Sequence, residues 1–184
     1  EIDSENILCG YKSSNIRQIL QQKLRVQGLQ CKCIRCREVG LKSLTSYNDI
    51  KISPKRIDYD SSNGKEVFLS LEDDDNDILF GFLRLRKLGK PHRPELREKD
   101  GSPSAIVREL HVLGQLVNIG NDNDFPITSF QHIGYGSKLL QIAENIVKNE
   151  FGLNSISIIS AIGTRRYYKK FGYELNGLYV SKEL

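Results

Sequence analysis

The sequence predicts an α/β fold: an antiparallel β-meander leading into alternating helix and strand, preceded by a helical, cysteine-rich segment. Two patterns carry that expectation. Short apolar runs of period two crowd between residues 47 and 86, and a 3.6-periodic apolar stripe follows at 136–149, between two further strand-like runs. No internal repeat and no second apolar core is visible, and 184 residues suit one domain with a short appendage.

Taken in order, residues 13–28 read as a helix. Ser13 or Ser14 is placed to cap it, Ile16, Ile19, Leu20 and Leu24 recur at helical spacing, and Gly28 is placed to stop it. The cysteines come next, then an irregular stretch from Glu38. Residues 47–59 alternate loosely, 67–71 form a compact strand, and 78–86 (Ile-Leu-Phe-Gly-Phe-Leu-Arg-Leu-Arg) form a longer one. Pro91, Pro94 and Pro103 make 87–104 a loop. Residues 106–117 are expected to be a strand with Glu109 and His111 on one face and Leu110 and Val112 on the other. After a polar loop over 118–130 come a helix at 136–149, a strand at 155–161, a short helix at 164–171 and a last strand or strand pair at 173–182. The organisation expected is an N-terminal helix and cysteine segment, 1–45, and one α/β domain, 46–184.

Composition narrows the function. With 39% hydrophobic and 27% charged residues the chain is globular. No apolar run approaches the roughly 20 residues that cross a bilayer, and the acidic start has no leader character, so a cytoplasmic protein is expected, or a nuclear one in a eukaryote. The absence of any methionine suggests a piece of a longer chain. A net charge of +4 permits nucleic-acid binding. The acidic runs at 72–77 and 121–124 read as solvated turns, lacking the glycine and distal glutamate of a calcium loop. Three of the four cysteines fall at Cys31, Cys33 and Cys36, which fits a metal site in a reducing compartment better than a disulfide framework.

The motif Gln131-His132-Ile133-Gly134-Tyr135-Gly136-Ser137 stands at a helix start after a strand. Two glycines let backbone approach an anion, and the free N–H groups of the helix suit a pyrophosphate. A dinucleotide-binding fingerprint is the rival, but its third glycine and early βαβ unit are missing. In context the motif resembles the way a GCN5-related N-acetyltransferase grips acetyl-CoA. Five segments in order (35–40, 77–86, 108–112, 131–136 and 163–173) resemble the acetyltransferase domain of the catalytic third subunit of Elongator.

That resemblance implies an acetyltransferase-type mixed sheet with flanking helices. It also implies an acetyl-CoA-consuming role in carboxymethylating the wobble uridine of tRNA, with tRNA and other Elongator subunits as partners. The family joins this domain to a radical S-adenosylmethionine domain. The C-x-x-x-C-x-x-C spacing of such a cluster is absent here, so the iron–sulfur cluster and S-adenosylmethionine belong to a missing N-terminal domain.

Cofactor contacts are expected from the backbone of Glu109, Leu110, His111 and Val112, from Gln131, Gly134, Tyr135, Gly136, Ser137 and Lys138, and from Tyr168. The catalytic candidates are Glu109 and His111 as general bases and Tyr168 as donor to the departing thiolate. Tyr167 and Tyr168 point about 100° apart on a helix, so only one faces the cofactor; the resemblance favours Tyr168. A tetrahedral zinc needs a fourth ligand beside Cys31, Cys33 and Cys36; His92 is expected, with Cys9 as the alternative. Arg17, Lys23, Arg25, Lys32, Arg35 and Arg37 are the expected tRNA contacts. A protein lysine acetyltransferase and a non-catalytic tRNA-binding module holding acetyl-CoA are the alternative functions.

Overall fold

The computed structural model describes residues 5, 8–10, 15–41, 50–114 and 134–184. The expected caps Ser13 and Ser14, the acidic run 121–124 and the predicted ligand-contacting Gln131 lie outside the described residues. Two compact units are present, Glu1–Arg37 and Glu38–Leu184.

In the first unit, helix α1 spans Ile16–Val26 and a single turn, α2, spans Ile34–Arg37. Asn15 stands at the α1 N-cap and Gly28, at φ 69°, follows its end. Lys23 and Arg25 lie in the last turn, where cations complement the helix dipole. The apolar positions recur as expected, but no residue of α1 is fully buried, and Ile16 and Leu20 are exposed.

The second unit is built on one seven-stranded sheet. Its strands are β1 (Ser53–Ser61), β2 (Gly64–Asp73), β3 (Ile78–Lys87), β4 (Ala105–Val112), β5 (Ser155–Ile158), β6 (Glu174–Asn176) and β7 (Tyr179–Glu183), ordered β1-β2-β3-β4-β5-β7-β6. β1 to β4 form the expected antiparallel meander, and β4 pairs with β5 in parallel. Helix α3 (Tyr135–Asn145) runs on into a π-helical turn at Ile146–Glu150, and α4 (Arg165–Lys169) follows β5. Leu139, Leu140, Ala143, Ile146 and Val147 bury against Val67, Leu69, Leu71, Leu83 and Leu85 of the sheet. Val39 joins this core, so the second unit's packing begins just past the cysteines.

Three differences from the expected elements bear on function. β1 begins at Ser53 and not near residue 47; β4 ends at Val112; and β5 ends at Ile158. The register also slips by one residue at Arg84/Leu85, which leaves Arg108 as an extra residue in β4. Its guanidinium reaches Glu66 Oε1 at 2.7 Å, which also accepts from Arg86 at 2.9 Å. Glu66 is 1% exposed, so two cations neutralise one carboxylate that would otherwise be buried unpaired.

Removing that carboxylate strands Arg86. Glu66→Ala is therefore expected to lower unfolding free energy by about 3–5 kcal/mol in urea titrations. Arg56→Ala, which breaks the exposed pair with Glu150, is expected to cost at most about 1 kcal/mol. Equal costs at the two sites would contradict the assigned role of Glu66.

Candidate functional site: the gap between β4 and β5

Parallel pairing joins only residues 105–107 of β4 to 156–158 of β5. A last bond runs from Ile159 N–H to the Val107 carbonyl at 3.1 Å. Past that point residues 108–112 keep β3 on one side, and on the other no strand among the described residues. Leu113 N–H donates to the Phe80 carbonyl at 2.8 Å, toward β3. Backbone groups alternate sides along a strand, so those of Leu110 and Val112 turn to the vacant edge.

Side chains alternate too. Leu110 packs on the core beneath α3. Glu109 and His111 project from the opposite face: Arg84 Nη1 donates to Glu109 Oε1 at 2.8 Å, and the His111 ring stacks on Phe82 with centroids 4.9 Å apart.

Gly134 initiates α3 at φ 85°, a left-handed conformation that costs glycine least. Its carbonyl accepts from Lys138 N–H at 3.0 Å and from the Ser137 hydroxyl at 2.7 Å. Among the described residues no side chain caps the N–H groups of the first turn. Gly136 sits where three elements meet: a Cβ there would strike the Tyr167 hydroxyl and lie 3.5 Å from Val112 Cγ2. The Lys138 side chain is exposed beside this turn.

The two tyrosines divide as their helical spacing requires. Tyr167 is 37% exposed with its hydroxyl against Gly136, whereas Tyr168 is 7% exposed in the core. Their rings meet edge to face at 5.2 Å, and Tyr168 meets Tyr173 likewise at 6.1 Å. Burial raises the Tyr167 phenol, and burial together with the neighbouring Tyr167 raises that of Tyr168. Tyr173 spends its hydroxyl on Glu144 at 2.9 Å; that of Tyr168 has no such bond among the described residues. Sequence reasoning missed the closeness of Tyr167 to Gly136, because two residues 31 positions apart meet only through the fold.

In the first unit the sulfurs of Cys31, Cys33 and Cys36 lie within 4.8 Å of one another. Cys9 is exposed and outside the cluster, and His92 is an exposed loop residue of the second unit. Arg17 Nη1 lies 3.8 Å from both Cys33 and Cys36 Sγ, and Gln21 Nε2 donates to Cys36 Sγ at 3.5 Å. The Cys36 backbone N–H, the Arg17 guanidinium and the adjoining thiols hold the Cys33 thiol down at about 6. Arg17 thus faces the sulfurs, while Lys23, Arg25, Lys32 and Arg35 are exposed. Gln21 was not singled out from the sequence, although its spacing one helical turn after Arg17 is the signal.

A separate polar depression of about 670 Å³ lies at the β5–β7–β6 end, lined by Glu95, Glu98, Glu174 and Glu183 among others. Its carboxylates repel a pyrophosphate, so the gap beside β4 is the better anion site.

A mixed sheet that parts beside a glycine-started helix defines an acetyltransferase-type fold. No family model matches the chain. It is 43% identical over its whole length to a protein named tRNA uridine(34) acetyltransferase from Methanocaldococcus infernus, and covers 34% of that protein. It is 40% identical over 95% of its length to human Elongator complex protein 3, and covers 31% of it. The solved structure of archaeal Methanocaldococcus infernus Elp3 with an N-terminal deletion superposes with a TM-score of 0.80 at 43% identity, over 100% of this chain and 42% of that one. The chain is therefore a homologue of these proteins and spans about a third of the length of the curated relatives it matches.

Because burial holds the Tyr168 phenol above its ordinary value, the folded chain is expected to keep it protonated through about pH 10. Absorbance at 295 nm should then rise equally in wild type and Tyr168→Phe up to that pH. Loss of one tyrosine's amplitude in the variant would contradict the burial. The sign follows for stability: the unfolded phenol ionises first, so this contribution is intact below about pH 10 and lost above it.

Proposed function

We propose that the chain binds acetyl-CoA in the gap beside β4 and cleaves it as the acetyltransferase part of a tRNA wobble-uridine modifying enzyme. The single observation that supports this most is the early parting of β4 from β5, beyond which the peptide groups of Leu110 and Val112 have no strand partner, and the start of α3 no side-chain cap, among the described residues. Peptide groups of the acetyl and pantetheine arm pair with that edge as an added strand would. The pyrophosphate meets the N–H groups of Tyr135, Gly136 and Ser137, with Lys138 beside them.

The chemistry is attack on the thioester carbonyl by water or an activated carbon, with backbone N–H donors of β4 stabilising the oxyanion and the nucleophile's proton passing to solvent, which later reprotonates the acid. Tyr168, kept protonated by burial, gives its proton to the departing coenzyme A thiolate. Glu109 is already bonded to Arg84, which suits an anchor for the strand more than a mobile proton acceptor. The exposed cations Lys23, Arg25, Lys32 and Arg35 supply sequence-independent contacts to tRNA phosphates.

We infer further that Cys31, Cys33 and Cys36 supply three of the four ligands of one structural zinc. Sulfurs on a tetrahedral zinc stand about 3.8 Å apart, given Zn–S near 2.3 Å, so a cluster within 4.8 Å closes on the ion with little movement. The N–H groups of Arg17 and Gln21 offset the charge of the thiolates.

Calorimetry should show at least a tenfold loss of acetyl-CoA affinity in Gly136→Val, with circular dichroism unchanged. Tyr168→Phe should retain binding and lose most turnover; undiminished affinity in the first variant together with full turnover in the second would remove the assignment. For the metal, about one equivalent of zinc per chain is expected without added metal, lost in Cys33→Ser. Less than about a tenth of an equivalent in the wild type would remove the metal assignment.

A further inference from the structure

The sheet face opposite α3 carries an aromatic row outside the main core cluster. Register aligns Ile57, Phe68, Arg84 and Glu109 across four strands, and beside them Lys55, Ser70, Phe82 and His111. Phe68 and Phe82 stack with centroids 5.6 Å apart and planes at 22°; Phe82 and His111 stack at 4.9 Å and 27°. The near-parallel rings run diagonally across the sheet and end on the strand that borders the gap. Phe82 is 7% exposed, but the terminal imidazole is exposed.

We propose that His111 is a stacking platform for a nucleobase, the acceptor base of the RNA. This rests on the function proposed above and deepens it by assigning the acceptor's place. Three arguments support it. A stack of flat rings that terminates in an exposed ring is completed by another flat ring, and sheet-borne aromatics bind unstacked RNA bases in this way. His111 lies between Leu110 and Val112 and on the opposite face from them, so a base on the imidazole and an acetyl group on the strand edge approach one stretch of β4 from two sides. Finally, the carboxylate beside the stack, Glu109, is bonded to Arg84. An incoming lysine ammonium would meet a compensated pair, whereas a neutral base needs no countercharge.

His111 is here a positioning residue, which separates this role from proton transfer. A phenylalanine preserves a platform and abolishes a base.

The 184-residue chain has no tryptophan, so His111→Trp introduces a single reporter. It is titrated with an anticodon stem-loop RNA carrying uridine at the wobble position, and with the same RNA made abasic there. Tryptophan fluorescence should be quenched by the first RNA and little affected by the second. By anisotropy, His111→Ala should bind the uridine RNA roughly 5- to 100-fold more weakly and the abasic RNA as wild type does, while His111→Phe stays within about twofold of wild type. Equal quenching by the two RNAs, unchanged affinity in His111→Ala, no RNA binding by wild type, or quenching by a lysine peptide in place of RNA would overturn the platform. The parent reading fails separately: there the stacking results hold, but the RNA does not raise acetyl-CoA cleavage by the wild-type chain.

Discussion

Parallel strands normally pair along their shared length, and in this fold they stop doing so after three residues. β5 ends at Ile158 while β4 continues to Val112, which exposes backbone donors and acceptors that a buried sheet would have to satisfy. Among the described residues the gap is therefore an unmet hydrogen-bonding demand in the middle of the sheet. Everything nearby is arranged around it: α3 begins there on a left-handed glycine, and α4 brings Tyr167 against Gly136. The proposed ligand, extended, amide-bearing and ending in phosphates, would answer both the strand edge and the helix start that the described residues leave open.

The bulge at Arg108 governs how that edge is presented. One extra residue in β4 shifts the pleat, so that Leu110 is turned under α3 while Glu109 and His111 face the opposite way. Burying Glu66 beneath Arg86 and Arg108 ties the extra residue to the neighbouring strands, because Arg108 donates to the same carboxylate oxygen that Arg86 holds. The strand thereby gains two working faces. In the proposed function one would meet the cofactor arm through its backbone edge; the other carries the ring stack that ends in His111.

Much of this was legible in the sequence, for identifiable reasons. The meander, α3 and the α4 tyrosines follow from apolar period and from glycine placement, which are local properties. The cysteine cluster is local too, since three thiols within six residues need only one turn to meet. The end of β5 was not legible: Ile159, Ser160 and Ala161 follow the strand's apolar run, yet pairing ends at Ile158 and the chain turns into a 3-10 helix at Ile162–Thr164. The bulge was hidden because register is set between strands. Glu109 was expected as a base from its residue type; its commitment to Arg84, 25 residues earlier, appears only once β3 and β4 are aligned. α1 shows the converse, a clear apolar stripe that leaves Ile16 and Leu20 exposed.

The central claim is that the unpaired edge of β4 and the start of α3 form one ligand site. Amide hydrogen exchange of the 184-residue chain with and without acetyl-CoA tests it directly. The account predicts new protection concentrated at residues 108–112 and 135–137, with the polar depression lined by Glu95, Glu98 and Glu174 unchanged. Protection at that depression instead, or none along β4 at saturating acetyl-CoA, would contradict it.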